Sequence, residues 1–156
     1  MAGLGVKMVH NCPYGTSCRT MERTDCTIPN SVYLWDCLRC GPGPNVASAS
    51  TTTNDTNATS SMGPTVPGRR MVYVGTTSFT LHKRTVEHWD SVSNRTGSSA
   101  LRKHQEEYHG TQDPQFACTL VGSYNQTLRR YVAEALTLDR LRGDHGIMNA
   151  KSEWEK

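Results

Sequence analysis

The stretch VYLWDCLRCG, residues 32–41, decides the fold because it carries two patterns at once. Val32 and Leu34 alternate with Tyr33 and Trp35, the period of two that predicts a β-strand over residues 31–37. The strand runs into Cys37-x2-Cys40. Such a pair serves as a metal knuckle, a redox pair or half of two disulfides, and its partners decide between them.

Downstream, residues 41–68 (GPGPNVASASTTTNDTNATSSMGPTVPG) contain no Leu, Ile, aromatic or basic residue. A segment of that composition buries too little apolar surface to offset its ordering entropy, and it is expected to be a disordered insertion. A second strand, MVYVG at 71–75, makes the insertion the overgrown loop of a hairpin. Loop closure tolerates this at about 0.6 kcal/mol per doubling of length. Residues 79–92 read as a helix with Leu81, Thr85, His88 and Trp89 near one side, and Arg84 four residues before His88 puts both on one face. Residues 98–110 form a second helix opened by serine and closed by Gly110, and FACTLV at 116–121 is a third strand. The last helix, 125–143, takes Asn125 as N-cap and Leu128, Tyr131, Val132, Ala135 and Leu138 as its buried stripe. The expectation is α+β: a small three-stranded antiparallel sheet flanked by helices over residues 31–156, preceded by a loop-rich, Cys-containing segment over 1–30.

Composition bounds the rest. With 35% hydrophobic residues, two Phe and three Trp, the core is small and gains from cross-linking or metal. Residues 1–65 hold four Lys/Arg against four Asp/Glu, whereas residues 69–142 hold eleven against seven, so the second half is the part suited to a polyanion. Six cysteines with Asn-x-Ser/Thr matches at Asn54, Asn57, Asn94 and Asn125 would suit a secreted glycoprotein. Against this, the N-terminus has no apolar run suited to a signal peptide and nothing later suits a membrane span. The chain is expected to be intracellular, with cysteines reduced or metal-bound.

His104 and His109 are the candidate partners of Cys37 and Cys40, since Cys-x2-Cys with a spaced His pair is a structural zinc grammar. The halves lie 63 residues apart, so spacing leaves open four unrelated residues. On an α-helix the two histidines would stand about 140° apart, so the helix is expected to end or tighten near Tyr108. A thioredoxin-like pair opens a helix, and here Gly-Pro-Gly-Pro follows instead. His10, Cys12, Cys18 and Cys26 form a second, irregularly spaced candidate zinc set, and Cys118 reads as a core thiol. Glu134 falls at the border of the last helix's stripe, where an acid is costly unless paired, metal-bound or turned outward.

Ser31-Val32-Tyr33, Tyr73-Val74-Gly75, the run TTSFTLHKRTVEHW, the blocks LRKHQEEYHG and PQFACTLVG, RRYVAEALTL and the closing IMNAKSEWE follow one another in a specific order. From residue 31 onward that order resembles the GIY-YIG endonucleases, and most closely the endonuclease domain of Penelope-like retroelements. Two departures stand out: the first motif lacks its leading glycine, and Tyr33 and Tyr73 are 40 residues apart where the family has about ten. The resemblance implies a metal-dependent DNA nickase that makes the target-site nick for integration, in the nucleus, with a reverse transcriptase domain as partner in cis or in trans. It implies that Tyr33 takes a proton from water, Arg84 binds the scissile phosphate, His88 relays the proton, Tyr73 orients water or phosphate and Asn149 ties in the terminal segment. Glu134 would hold Mg²⁺ or Mn²⁺, and Cys37, Cys40, His104 and His109 would hold Zn²⁺. Arg69, Arg70, Lys83, Arg102, Lys103, Arg129 and Arg130 are candidates for tracking DNA phosphates. The alternative is a catalytically inactive, zinc-stabilised nucleic-acid-binding module from a decayed element.

Overall fold

The computed structural model describes residues 25–41 and 68–149. His10, Cys12 and Cys18, the interior of the expected insertion (42–67) and residues 150–156 lie outside the described residues.

β1 (Ser31–Cys37) pairs antiparallel with β2 (Met71–Thr77) on one side and with β3 (Phe116–Ser123) on the other. A two-residue β4 (Gly146–Ile147) joins β2 in parallel, giving the order β3-β1-β2-β4. The expected three-stranded antiparallel sheet is therefore a four-stranded mixed one. Two residues are too few to show a period, and β4 is set by its backbone bonds and by Ile147: Gly146 N donates to Arg70 O and Met148 N to Val72 O, both at 2.8 Å, and Ile147 packs on the Val32, Val74 and Leu138 cluster.

Alternation along β1 divides the core as its sequence implies. Val32 packs with Val74 against Leu138 of α3 (Thr127–Leu141), with Ala133 and Leu141 beside them. Tyr33, Trp35 and Cys37 face the other way, with Tyr73, Leu81, Leu101, Phe116 and Cys118, under α1 (Leu81–Ser93) and α2 (Ala100–His104). The result is three layers: α1 and α2, the sheet, then α3. Fully buried side chains of this size contribute about 1.5–3 kcal/mol each, so Trp35, Leu81 and Leu101 anchor the α1/α2 side. Cys118 is fully buried, as a core thiol should be.

Thr80 caps α1 by accepting from Lys83 N, and Ser99 caps α2 by accepting from Arg102 N. α3 departs from expectation at its start and along its face. Its N-cap is Gln126, with no side-chain cap bond, rather than Asn125. Of the expected stripe only Leu138 is buried; Leu128, Tyr131, Val132 and Ala135 are exposed. The inward row is Arg130, Ala133, Glu134, Thr137, Leu138 and Leu141. Arg130 sets that rotation: its guanidinium donates to Asn30 Oδ1 and Tyr124 O, each at 3.0 Å, and to Thr127 Oγ1 at 3.1 Å. A buried charge with three acceptors fixes which side of the helix faces in.

Candidate functional site

β1 meets histidines at two places on its Tyr33 face. The first is the cysteine knuckle. Cys37, Cys40, His104 and His109 are all buried, and their ligand atoms lie within 4.8 Å of one another. Cys37 Sγ stands 3.3 Å from His109 Nε2, Cys40 Sγ 3.3 Å from His104 Nε2, and the two Nε2 atoms 3.2 Å apart. A tetrahedral zinc with bonds of about 2.0 Å to nitrogen and 2.3 Å to sulfur has edges of roughly 3.3–3.8 Å, so the donor set fits a metal such as zinc.

The helix reaches this geometry by widening. After α2 the chain makes a π-helical turn over Gln105–His109. A π turn links residues i and i+5, so His104 and His109 come round to the same side, where an α-helix would splay them. The expected tightening near Tyr108 is replaced by its opposite. Gly110 then ends the turn at a φ of 54°, in the left-handed region that favours glycine. Burial pushes His104 down to about 4, with His109 adding to it, and burial lowers His109, with Arg39 adding to it. Both imidazoles are thus neutral near pH 7, the form that ligates metal. Burial, with Cys37 nearby, pushes the Cys40 thiol up to about 12, so a thiolate there calls for a cation.

The second place lies four residues earlier on the strand. Arg84 and His88, one turn apart on α1, converge on the Tyr33 hydroxyl: Arg84 Nε donates to it at 3.1 Å, and it stands 3.0 Å from His88 Nε2. With Arg84 donating, the hydroxyl is left to donate to His88. Tyr73 packs edge-on against the same imidazole at 5.4 Å between centroids. Gly75 makes room for this: a Cβ there would meet Tyr33 Oη at 2.6 Å and Tyr73 Cε1 at 2.9 Å. Burial drives His88 down to about 3, helped by Arg84, so it is a neutral acceptor. A tyrosine that takes a proton from water is helped by a lowered pKa. Burial instead raises that of Tyr33, Tyr73 adds to the rise, and Arg84 offsets only part. Burial works to lower Arg84, but Tyr33 and Glu87 outweigh it and hold the guanidinium charged.

Above this cluster opens a cleft of about 290 Å³ lined by Tyr73, Arg84, Glu87, His88, Ser91, Ser98, Ser99 and Ala100. Glu87, which accepts from Arg84 Nη1 at 2.8 Å, is the residue that reading the sequence missed. The available signal was its place three residues after Arg84 on the same helix. Glu134 stands on α3, the helix that packs the other face of the sheet, at intermediate burial. Among the described residues, the one carboxylate lining the cleft is that of Glu87.

Asn149 fills an architectural place beside the site. Its Oδ1 accepts from Val74 N at 3.0 Å and its Nδ2 donates to Val74 O at 2.7 Å, clipping the terminal segment to β2 between Tyr73 and Gly75. Of the basic candidates, Arg130 is buried and committed within the fold, which removes it from the phosphate-tracking set. Arg70 pairs with Asp36, Lys83 lies 3.7 Å over the Phe79 ring, and Arg102 bonds Glu106 at 2.9 Å. Arg69, Lys103 and Arg129 are exposed. Cys26 is buried, with its carbonyl accepting from His82 N at 2.7 Å; the other three members of the second zinc set lie outside the described residues.

No protein-family model, curated protein or solved structure matches the chain. No helix among the described residues is long and apolar enough to cross a membrane.

Proposed function

We propose that the chain is a DNA endonuclease of the GIY-YIG type, of the kind found in Penelope-like retroelements, that nicks phosphodiester bonds and is braced by zinc at Cys37, Cys40, His104 and His109. The observation that carries this reading is the Tyr33 hydroxyl held between a neutral imidazole and a guanidinium, His88 and Arg84, both of which line a cleft.

Arg84 binds the scissile phosphate, where its permanent charge and forked donors suit two oxygens. To do so the phosphate takes the guanidinium from Glu87, an exchange of one anion for another. Tyr33, protonated at rest, passes its proton to His88 Nε2 as it takes one from the attacking water, so it never accumulates as a buried phenolate; the new P–O bond forms as the P–O3′ bond breaks, the 3′-oxygen takes a proton from solvent, and His88 returns its proton to solvent. Tyr73 and Gly75 fix the distance over which that relay runs. Cys37, Cys40, His104 and His109 would hold zinc, which would supply a cross-link between β1 and the turn after α2. The resemblance assigns Mg²⁺ or Mn²⁺ to Glu134, where it would supply charge neutralisation; Glu134, however, stands on the helix behind the sheet, and the carboxylate that lines the cleft is Glu87. DNA is the substrate, and Arg69, Lys103 and Arg129 are the exposed cations for tracking its backbone.

Full burial of Tyr33 favours the second reading, a zinc-braced nucleic-acid-binding module without activity. Plasmid nicking with Mg²⁺ separates the two. Arg84→Ala and Tyr33→Phe should each lose roughly 10²–10⁴-fold, and Glu134→Ala and Glu87→Ala report which acid the reaction needs. Equal activity in all variants, or none in the wild-type chain, defeats the nuclease reading.

A further inference from the structure

Two buried polar atoms on the π turn have no hydrogen-bond partner among the described residues: Gln105 Oε1 and His109 Nδ1. The first can only accept. The second becomes a donor once His109 binds metal, because Nε2 is the nitrogen that faces the other three ligands, with Cys37 Sγ at 3.3 Å, Cys40 Sγ at 3.4 Å and His104 Nε2 at 3.2 Å. A neutral imidazole ligated through Nε2 carries its proton on Nδ1. A buried N–H without an acceptor is costly, and ligating histidines almost always donate that proton to an oxygen behind the ring, which fixes both tautomer and orientation.

The turn puts an acceptor within its own reach. Gln105 and His109 are 5% and 4% exposed, and in a turn whose bonds run from i to i+5, residues four apart stand on nearly the same side. The Gln105 amide is aimed by its nitrogen: Nε2 donates to Gln112 O at 2.7 Å, while Gln112 N donates to His109 O at 3.0 Å. The amide is thereby tied to the chain reversal that begins at His109, and its oxygen is the end left over. We propose that Gln105 positions His109 for metal, its Oε1 accepting the Nδ1–H that ligation creates. The two atoms are not bonded to each other in the structure, so the bond is one that ligation closes. Gln105 touches the ligand and not the metal. The proposal rests on the reading of Cys37, Cys40, His104 and His109 as a zinc set, and it holds whether or not the cleft cleaves DNA.

Competition for zinc between the full chain and a chromophoric chelator tests this in the wild type, Gln105→Met and Gln105→Glu. Methionine fills similar space and offers no oxygen, so Gln105→Met should weaken zinc binding roughly 10–100-fold. Glutamate keeps an acceptor behind the ring while losing the bond to Gln112 O, and Gln105→Glu should bind zinc nearly as tightly as the wild type. If Gln105 served only to tie Gln112, both variants would lose alike, so equal losses overturn the proposal. Unchanged affinity in Gln105→Met overturns it as well and leaves the zinc reading standing, whereas a wild-type chain that takes up no zinc defeats that reading and the proposal together. Long-range ¹H–¹⁵N spectra of the zinc-loaded wild type need no variant. The His109 Nδ1–H should exchange slowly with solvent, and a rapidly exchanging proton there overturns the proposal even if Gln105→Met fails to fold.

Discussion

β1 meets histidines from a helix twice, and the two meetings are built on opposite terms. At Tyr33 the protein satisfies itself: the hydroxyl has both its partners at 3.0 and 3.1 Å, and Arg84 has its own acid in Glu87. At Cys37 and Cys40 four donor atoms crowd within 4.8 Å, two of them neutral imidazole nitrogens, and a thiol is pushed up to about 12. The first cluster is complete as protein and opens onto a cleft. The second is a donor set that could hold a metal such as zinc. What the difference teaches is that one strand can carry two buried clusters four residues apart, one satisfied by its own protein partners and one whose donors fit an outside ion.

Removing that ion should have the largest effect. Chelation, or Cys40→Ser, is expected to abolish cooperative unfolding, because structural zinc is worth about 10–16 kcal/mol in small domains. Metal content with thermal melting measures it, and a transition that survives chelation unchanged breaks the comparison. Acid should act next, through His88. Its folded pKa, about 3, lies below its ordinary 6.5, so the unfolded chain takes up the proton first as pH falls. The stability it confers is whole above 6.5 and is lost down to about 3, a few kcal/mol in all. In the chain carrying His88→Phe, denaturant midpoints measured across that range should fall less steeply.

Gly75→Ala is expected to cost about 1–3 kcal/mol in urea unfolding, since the added Cβ meets a ring that is buried and held at its hydroxyl. A neutral result would mean that the Tyr33 ring shifts readily. The smallest stability effect belongs to Tyr33→Phe, about 1 kcal/mol for the lost hydrogen bonds, with activity lost far out of proportion. If stability and nicking instead fall together, the Tyr33 cluster is a brace like the other.

Much of this was legible in advance because it rests on short-range pattern. The alternation Val32, Tyr33, Leu34, Trp35 gave both faces of β1, and the spacing of Arg84 and His88 put both on one face of their helix, the face that meets Tyr33. α3 shows where pattern fails. Periodicity counts apolar side chains, and this helix offers two rows sharing little but Leu138. The richer row faces out, because burying the other satisfies Arg130 with Asn30, Tyr124 and Thr127, groups that periodicity does not weigh. β4 was too short to show a period, and Glu87 resembled any solvated helix acid.

The sequence by itself determined β1, β2 and β3, the helices and the two faces of β1, since each depends on neighbours within a turn or a pleat. Tertiary structure alone decided three things: the α3 face that turns inward, the acid that lines the cleft, and the joining of His104 to His109. The last is the clearest case. Their spacing is wrong for an α-helix, and the π turn that corrects it has no local signature. The widened turn is unfavourable alone and is held by what it brings together, two imidazoles against two thiols 64 and 72 residues away in the chain.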